Sequence, residues 1–270
     1  MLKLLNTQQN PVRLIQITDC HLEEQAGGDL LGMDTDFSLH QVIDLVERER
    51  PDRELVLATG DISNRGTIGA YQRFKGIVAS FQNPIFWIKG NHDTLVNMQS
   101  VVGNDETLKK IIHIGVWQIL LMNTTIEGQV GGHICAEELK FLKDALHQYS
   151  NLPTLIFLHH HVVPIGSQWL DQQIVNNAID FFAVINKHTN IKAVVSGHVH
   201  QEFYRHRTGV DIYTTPSTCI QFKPNSKDFC LDQLMPGYRW FELHQDGSYK
   251  TGVSRVPEQD FNVDFSTKGY

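Results

Sequence analysis

The chain has 270 residues, 41% hydrophobic and 20% charged, which is ordinary globular composition and enough for a full core. A formal charge of −7 excludes a general attraction to nucleic-acid backbones or anionic membranes, and no local basic patch compensates for it. Residues 1–11 carry no apolar leader core, no later run approaches membrane-spanning length, and the four scattered cysteines form no Cys-x-x-Cys pair, so a cytoplasmic protein with reduced thiols is expected.

The unusual feature is 14 histidines, many of them clustered. Residues 12–18 read as a strand ending at Asp19, with Cys20 and His21 next. Positions two apart in an extended segment face one side, so Asp19 and His21 can grip one ion together; taken alone, the pair also fits a surface aspartate beside a solvated histidine. Residues 22–35 read as a loop long enough to overhang a site, and Leu39, Val42, Ile43 and Val46 mark an amphipathic helix closed by Pro51. Residues 55–59 form an apolar strand that stops at Gly60 and leaves Asp61 at its tip. Parallel strand tips carry ligands in open α/β sheets, and a carboxylate there can bridge two cations, although a turn aspartate has the same local sequence.

Tyr71, Phe74, Ile77, Val78 and Phe81 are spaced as the core face of a second helix. The strand at 85–89 runs into Gly90-Asn91-His92-Asp93, which puts a neutral oxygen donor, Asn91, at a third tip; Asp93 reads as a helix N-cap. Residues 111–114 and 117–123 predict a hairpin around Gly115, residues 127–133 a loop, and residues 136–149 a helix. The strand at 154–158 ends in His159-His160-His161. His159 is best placed to enter a site, whereas alternation turns His160 away, and both His160 and His161 are expected to support neighbours or lie at the surface.

Trp169 and Asp171 stand out in the loop at 162–172, where a tryptophan either stacks on a base or anchors the loop to the core. A helix over 174–185 and a strand over 191–196 lead to Gly197-His198-Val199-His200, a second pair of ligand-type residues two apart. From about 201 the strands shorten, at 202–207, 210–214, 238–244 and 249–256, the last two joined at Asp246-Gly247. No repeat or linker divides residues 1–270, so one domain is expected.

Five tips thus supply Asp19, His21, Asp61, Asn91, His159, His198 and His200. Two carboxylates, an amide and four imidazoles suit iron, manganese, zinc or cobalt rather than magnesium or calcium. Shared between two ions through a bridging Asp61, they leave a net charge of about +2, which calls for an anionic substrate such as a phosphate ester.

Asp19-x-His21, Gly60-Asp61, Gly90-Asn91-His92-Asp93, His159 and Gly197-His198-x-His200, in that order, resemble the signature of the calcineurin-like metallophosphoesterase superfamily. Over nearly its whole length the chain is similar to the bacterial class III 3′,5′-cyclic AMP phosphodiesterases, notably at 158–161, 167–171, 215–224 and 268–270. It departs at Val162-Val163, where that group has a proline, which touches the shape of the loop and not the ligands. The resemblance implies a four-layer α/β sandwich of two mixed β-sheets flanked by helices. It implies two transition-metal ions, iron or manganese with zinc or cobalt as substitutes. Asp19, His21, Asp61 and His200 would hold one, and Asp61, Asn91, His159 and His198 the other.

It further implies hydrolysis of cyclic AMP to 5′-AMP by a metal-bound hydroxide, with His92 stabilising the phosphorane-like charge or protonating the leaving oxygen. His21, Asp61, Asn91, His92 and His200 would contact this small-molecule substrate, with Trp169 and residues 221–224 the only handles on its base. Three rivals remain: a broader phosphodiesterase acting on 2′,3′-cyclic nucleotides or glycerophosphodiesters, a non-catalytic scaffold, and a nuclease. The complete ligand set weighs against the scaffold. The acidic balance and the lack of a basic, aromatic-interleaved groove weigh against nucleic acid as a partner.

Overall fold

The computed structural model describes residues 2–4, 11–103 and 105–269. Most of the stretch read as leaderless, and Tyr270 of the terminal 268–270 stretch, lie outside the described residues. In chain order the elements are β1 (Leu2–Leu4), β2 (Val12–Ile17), α1 (Thr35–Glu49), β3 (Leu55–Thr59), α2 (Ile68–Val78), β4 (Ile85–Ile88) and α3 (Leu95–Val102). Next come β5 (Ile111–Ile114), β6 (Trp117–Met122), α4 (Ala136–Gln148), β7 (Thr154–Leu158), α5 (Ala178–Ile185) and β8 (Ile191–Ser196). The chain closes with β9 (Phe203–Arg207), β10 (Val210–Thr214), β11 (Gly237–Leu243) and β12 (Tyr249–Arg255).

One sheet has the order β12-β11-β2-β3-β4, with β2, β3 and β4 parallel. The other runs β1-β5-β6-β7-β8-β10-β9, with β6, β7, β8 and β10 parallel. Alternation along each strand sorts its side chains into layers. In β2 and β3, Ile15, Ile17, Val56 and Ala58 turn outward to a core with Leu39 and Val42 of α1 and Phe74 of α2. Leu14, Leu55 and Leu57 turn inward and meet Leu155 and Phe157 of β7 and Ala193 and Val195 of β8. Ile156, Leu158 and Val194 face the far side, against Leu142 of α4 and Phe181 of α5. The result is the expected four-layer sandwich, helix–sheet–sheet–helix. Among the described residues no helix is long and apolar enough to cross a membrane.

The helix ends follow their caps. The Asp34 carboxylate accepts from Phe37 N–H at the start of α1, and the Thr67 hydroxyl accepts from Ala70 N–H at the start of α2. Two helices depart from the sequence pattern. α3 was not announced, because Leu95 and Val96 are 43% and 72% exposed while Met98 and Val102 are buried, leaving no apolar stripe to read. α5 begins at Ala178 rather than near 174, because Val175 N–H is drawn to the His161 carbonyl, 3.0 Å away.

One polar group interrupts the apolar layer between the sheets. Gln16 donates to the Thr59 hydroxyl at 2.8 Å and accepts from the Thr215 hydroxyl at 2.6 Å, which in turn accepts from Arg239 Nε at 3.2 Å. This bridge is fully paired, as burial requires. It sits directly below Gly60 and Asp61 and locks the two sheets together where the site begins.

Candidate active site

The C-terminal tips of β2, β3, β4, β7 and β8 lie side by side and deliver all seven ligand-type residues to one place. β2 and β3 stay paired beyond their ends, through Asp19 N–H to Gly60 O at 3.0 Å and His21 N–H to Asp61 O at 2.9 Å. The chain there is not extended, so the reasoning from strand alternation needs correction. Asp19, His21, Asp61, His198 and His200 have φ of 55°, 48°, 49°, 67° and 44°. Each such left-handed residue costs on the order of 1–3 kcal/mol and persists only where its surroundings over-determine it. Tight turns, not a pleat, aim these side chains together.

Two glycines make room for the shelf. A Cβ on Gly60, whose φ is +101°, would stand 2.3 Å from His159 Nδ1, and one on Gly90 would stand 2.1 Å from Asp61 Oδ1. Only glycine lets these backbones approach the ligands so closely.

His159 Nε2 lies 3.2 Å from Asp61 Oδ2 and 3.1 Å from Asn91 Oδ1. His200 Nε2 lies 3.4 Å from Asp19 Oδ1 and 3.2 Å from His21 Nε2. Backbone carbonyls fix the tautomers, since a carbonyl only accepts. His159 Nδ1 donates to Thr59 O at 2.9 Å and His200 Nδ1 to Ile220 O at 2.9 Å, which leaves each Nε2 facing the carboxylates. His198 Nε2 is buried with no hydrogen-bond partner, while its backbone N–H donates to Asp19 at 3.0 Å. His92 stands over the group. Its N–H donates to Asp61 Oδ1 at 2.8 Å, and its Nδ1 donates to the Asn64 carbonyl at 2.9 Å.

Burial pushes the Asp19 and Asp61 carboxyls up, but His200 beside Asp19, and His159 and His92 beside Asp61, bring both below the usual carboxylate range. Burial opposes charge on the imidazoles as well. The Asp61 carboxylate overcomes it at His159, raised to about 9, and Asp19 overcomes it at His200, raised to about 10. Burial prevails at His21, pushed down to about 3 with His92 adding to it, and at His198, held well below the usual histidine range. The two carboxylates thus draw protons onto two histidines, the demand for positive charge that cations meet in a metal centre.

His160 and His161 are buried, not at the surface. His160 packs against His198 with centroids 4.5 Å apart, but it accepts from the Thr124 hydroxyl at 2.7 Å and donates to the Val130 carbonyl at 2.9 Å, so both its nitrogens are already paired. His161 stacks on His198 with centroids 6.0 Å apart, and its Nε2 lies 3.6 Å from Asp171. Asp93 is not the expected helix cap, since Thr94 stands at the N-cap of α3. Its buried carboxylate accepts from Gly90 N–H at 2.9 Å, Ser63 N–H at 3.0 Å and the Tyr71 hydroxyl at 2.9 Å, tying the Gly90 and Asp61 turns together. Burial and the nearby Asp61 carboxylate push it up to about 6.

A cavity of about 310 Å³ opens over the shelf, with Asp61, Asn91, His92, His198 and Trp169 on its walls. His21 and His200 lie buried beneath and are not on those walls. Trp169 anchors its loop by packing edge-on against Phe222 at 4.9 Å, and it also lines the cavity. Sequence reasoning missed Asn64 and Phe229, which reach the site from loops with no motif, and Gln173, at the end of a single 3-10 turn over Asp171–Gln173.

The donor set fits two ions. Asp19, His21 and His200 form one group and Asp19, Asp61 and His159 another, each with its ligand atoms within 4.8 Å of one another; His198, with its unpaired Nε2, joins His159 and His160 in a third. Asp61 adjoins both His21 and His159, at 3.8 Å and 3.2 Å, the position from which one carboxylate reaches two cations.

Mixed sheets between helices, with acidic, amide and imidazole donors at five parallel strand tips, make up a metal-dependent phosphoesterase. The chain belongs to the calcineurin-like phosphoesterase family, whose model matches residues 12–202. It is 41% identical over 259 residues to the 3′,5′-cyclic adenosine monophosphate phosphodiesterase CpdA of Pseudomonas aeruginosa, covering 96% of this chain and 95% of that one. To the CpdA of Escherichia coli K12 it is 37% identical over 261 residues, with 96% and 95% covered. Among solved structures its fold is similar to a dimetal phosphatase from Danio rerio, with a TM-score of 0.64 at 15% identity over 92% of this chain and all of that one.

Proposed function

We propose that this chain hydrolyses 3′,5′-cyclic AMP to 5′-AMP and so lowers the second messenger. The observation that carries the reading is the convergence of seven donors around Asp61, with the likeness in sequence to phosphodiesterases named for this substrate behind it. Asp19, His21, Asp61 and His200 would hold one ion, and Asp61, Asn91, His159 and His198 a second. Iron or manganese is the expected pair, with zinc or cobalt as substitutes. When bound, the ions supply Lewis acidity toward the phosphoryl oxygens and make water acidic enough to serve as a nucleophile at neutral pH.

The chain's own residues do the rest. His159 and His200, held by the Thr59 and Ile220 carbonyls, present neutral Nε2 donors once their protons leave. Asn91 contributes a neutral oxygen, which keeps the site cationic and favours an anionic diester. His92 has Nδ1 committed to the Asn64 carbonyl, so proton traffic falls to Nε2. There it would stabilise negative charge building on phosphorus, or give a proton to the 3′-oxygen as its bond to phosphorus breaks and water's oxygen takes its place.

The apolar layer shared by the two sheets, drawn from residues between Val12 and Tyr249, supports reading residues 1–270 as one domain. Four free cysteines, Cys20, Cys135, Cys219 and Cys230, suit a reducing, cytoplasmic setting, and the partner would be a small anionic substrate rather than nucleic acid or membrane.

The test strips the protein of metal, restores Mn²⁺ or Fe²⁺, and compares kcat/KM for 3′,5′-cyclic AMP, 2′,3′-cyclic AMP and a methyl aryl phosphodiester. Metal-dependent preference for 3′,5′-cyclic AMP is expected. Cleavage of the simple diester with little action on 3′,5′-cyclic AMP would overturn the substrate and leave a broader phosphodiesterase.

A further inference from the structure

One wall of the cavity has no part in the chemistry described so far. Trp169, Phe222 and Phe229 meet there edge to face, with centroids 4.9 Å (Trp169–Phe222), 5.2 Å (Trp169–Phe229) and 5.6 Å (Phe222–Phe229) apart. Phe222 also stacks on His200, centroids 4.2 Å apart and planes 15° apart, so the aromatic wall starts where the ligand shelf ends. The wall is fixed in place. Trp169 Nε1 donates to the Ser226 hydroxyl at 3.1 Å, and Asp171 accepts from Ile165 and Gly166 N–H at 2.8 and 3.1 Å.

Gln173 completes this side of the cavity. Its backbone is held, with N–H donating to Leu170 O at 2.8 Å and its carbonyl accepting from Gly132 N–H at 3.2 Å. Its side-chain amide makes no hydrogen bond among the described residues. An amide held at its root and unpaired at its tip, beside half-buried aromatic faces, offers one donor and one acceptor to whatever covers those faces. A flat heterocycle covers aromatic faces by stacking, and in adenine a 6-amino donor sits beside a ring-nitrogen acceptor on either edge, the complement of a carboxamide. Purine, which has only hydrogen where adenine has that amino group, keeps the acceptor and lacks the donor.

We propose that Gln173 reads the adenine edge while the wall of Trp169 and Phe229, whose rings stand 63° apart, holds the base by one stacked and one edge-on contact, which makes Gln173 the determinant of base selectivity. This rests on the cyclic-nucleotide reading above, and the test separates the two. Because the Gln173 amide holds nothing in the fold, Gln173→Leu removes the readout without opening a structural hydrogen bond.

Binding of 5′-AMP and of purine riboside 5′-monophosphate to the metal-loaded full chain is measured by calorimetry, alongside turnover of the corresponding 3′,5′-cyclic phosphates. Gln173→Leu is expected to weaken 5′-AMP by about tenfold and the purine analogue less, so that the ratio between them falls; the ratio of kcat/KM for the two cyclic phosphates follows it, through KM. Phe229→Ala is expected to weaken both nucleotides in parallel, by about fivefold or more, because stacking is tolerant of the base. A Gln173→Leu protein that keeps the wild-type ratio, or a wild type that shows none, overturns the proposal. A wild type that binds 5′-AMP selectively but does not hydrolyse cyclic AMP overturns the substrate reading and leaves the base-reading role standing.

Discussion

Asp19, His21, Asp61, His159, His198 and His200 are each at most 5% exposed and sit on strand tips, whereas Trp169, Gln173 and Phe229, across the same cavity, are half-buried and carried by loops. All of the first group but His159 have positive φ; none of the second does, and Trp169 and Phe229 are joined by ring packing. Chemistry that needs donors fixed to a fraction of an ångström stands on the strands, and selectivity stands on loops that can vary without moving it. Damage to the shelf should therefore act on turnover for every substrate, and damage to the wall on the choice among substrates.

The sharpest way to break that division is at a ligand. Asn91→Ala and His198→Ala are each expected to lower kcat for cyclic AMP and for a simple diester alike, on the order of 10³-fold or more, with the fold intact by circular dichroism. Retained activity in either variant would remove it from the ligand set. A smaller effect is expected one step back. Asp93→Asn takes an accepting oxygen from Gly90, Ser63 or Tyr71, and a loss of about 10–100-fold in kcat/KM with weaker metal retention should follow. If metal content and kcat/KM stay at wild-type levels, Asp93 does not position the turn.

The gentlest test uses pH. In the metal-free chain His159 and His200 are raised to about 9 and about 10, so both carry protons at neutral pH. Metal uptake at pH 7 should release protons, and apparent affinity should climb as pH rises toward 9. The same two groups stabilise the metal-free fold fully below the ordinary histidine value of about 6.5, and that contribution is lost as pH rises through their folded-state values. The Tm of the metal-free protein is expected to fall between pH 7 and 10 more steeply than that of the loaded one. A pH-independent uptake without proton release would contradict the charge balance drawn for the shelf.

The shelf was legible in the sequence because each ligand follows an apolar run that stops at a strand end, as at residues 55–61 and 191–200, and because the ligand types agree chemically. What brings them together was not. Residue type does not disclose a positive φ at Asp61 or His200, and an alternation argument reached the right neighbours by the wrong backbone. The wall was barely legible, since Trp169 carries a visible aromatic but Gln173 and Phe229 meet it only after residues 130, 173 and 229 fold onto one cavity. α3 escaped for the opposite reason, its apolar residues being spread over exposed and buried faces alike.

The central claim is a pair of ions joined through Asp61, and counting metal tests it most directly. Protein reconstituted with Mn²⁺ or Fe²⁺ and freed of excess is measured by elemental analysis against chain concentration, beside His200→Ala and Asp61→Ala. Two ions per chain in the wild type, one in His200→Ala and fewer than one in Asp61→Ala are the predicted result. A single ion in the wild type, or two retained without Asp61, would contradict it.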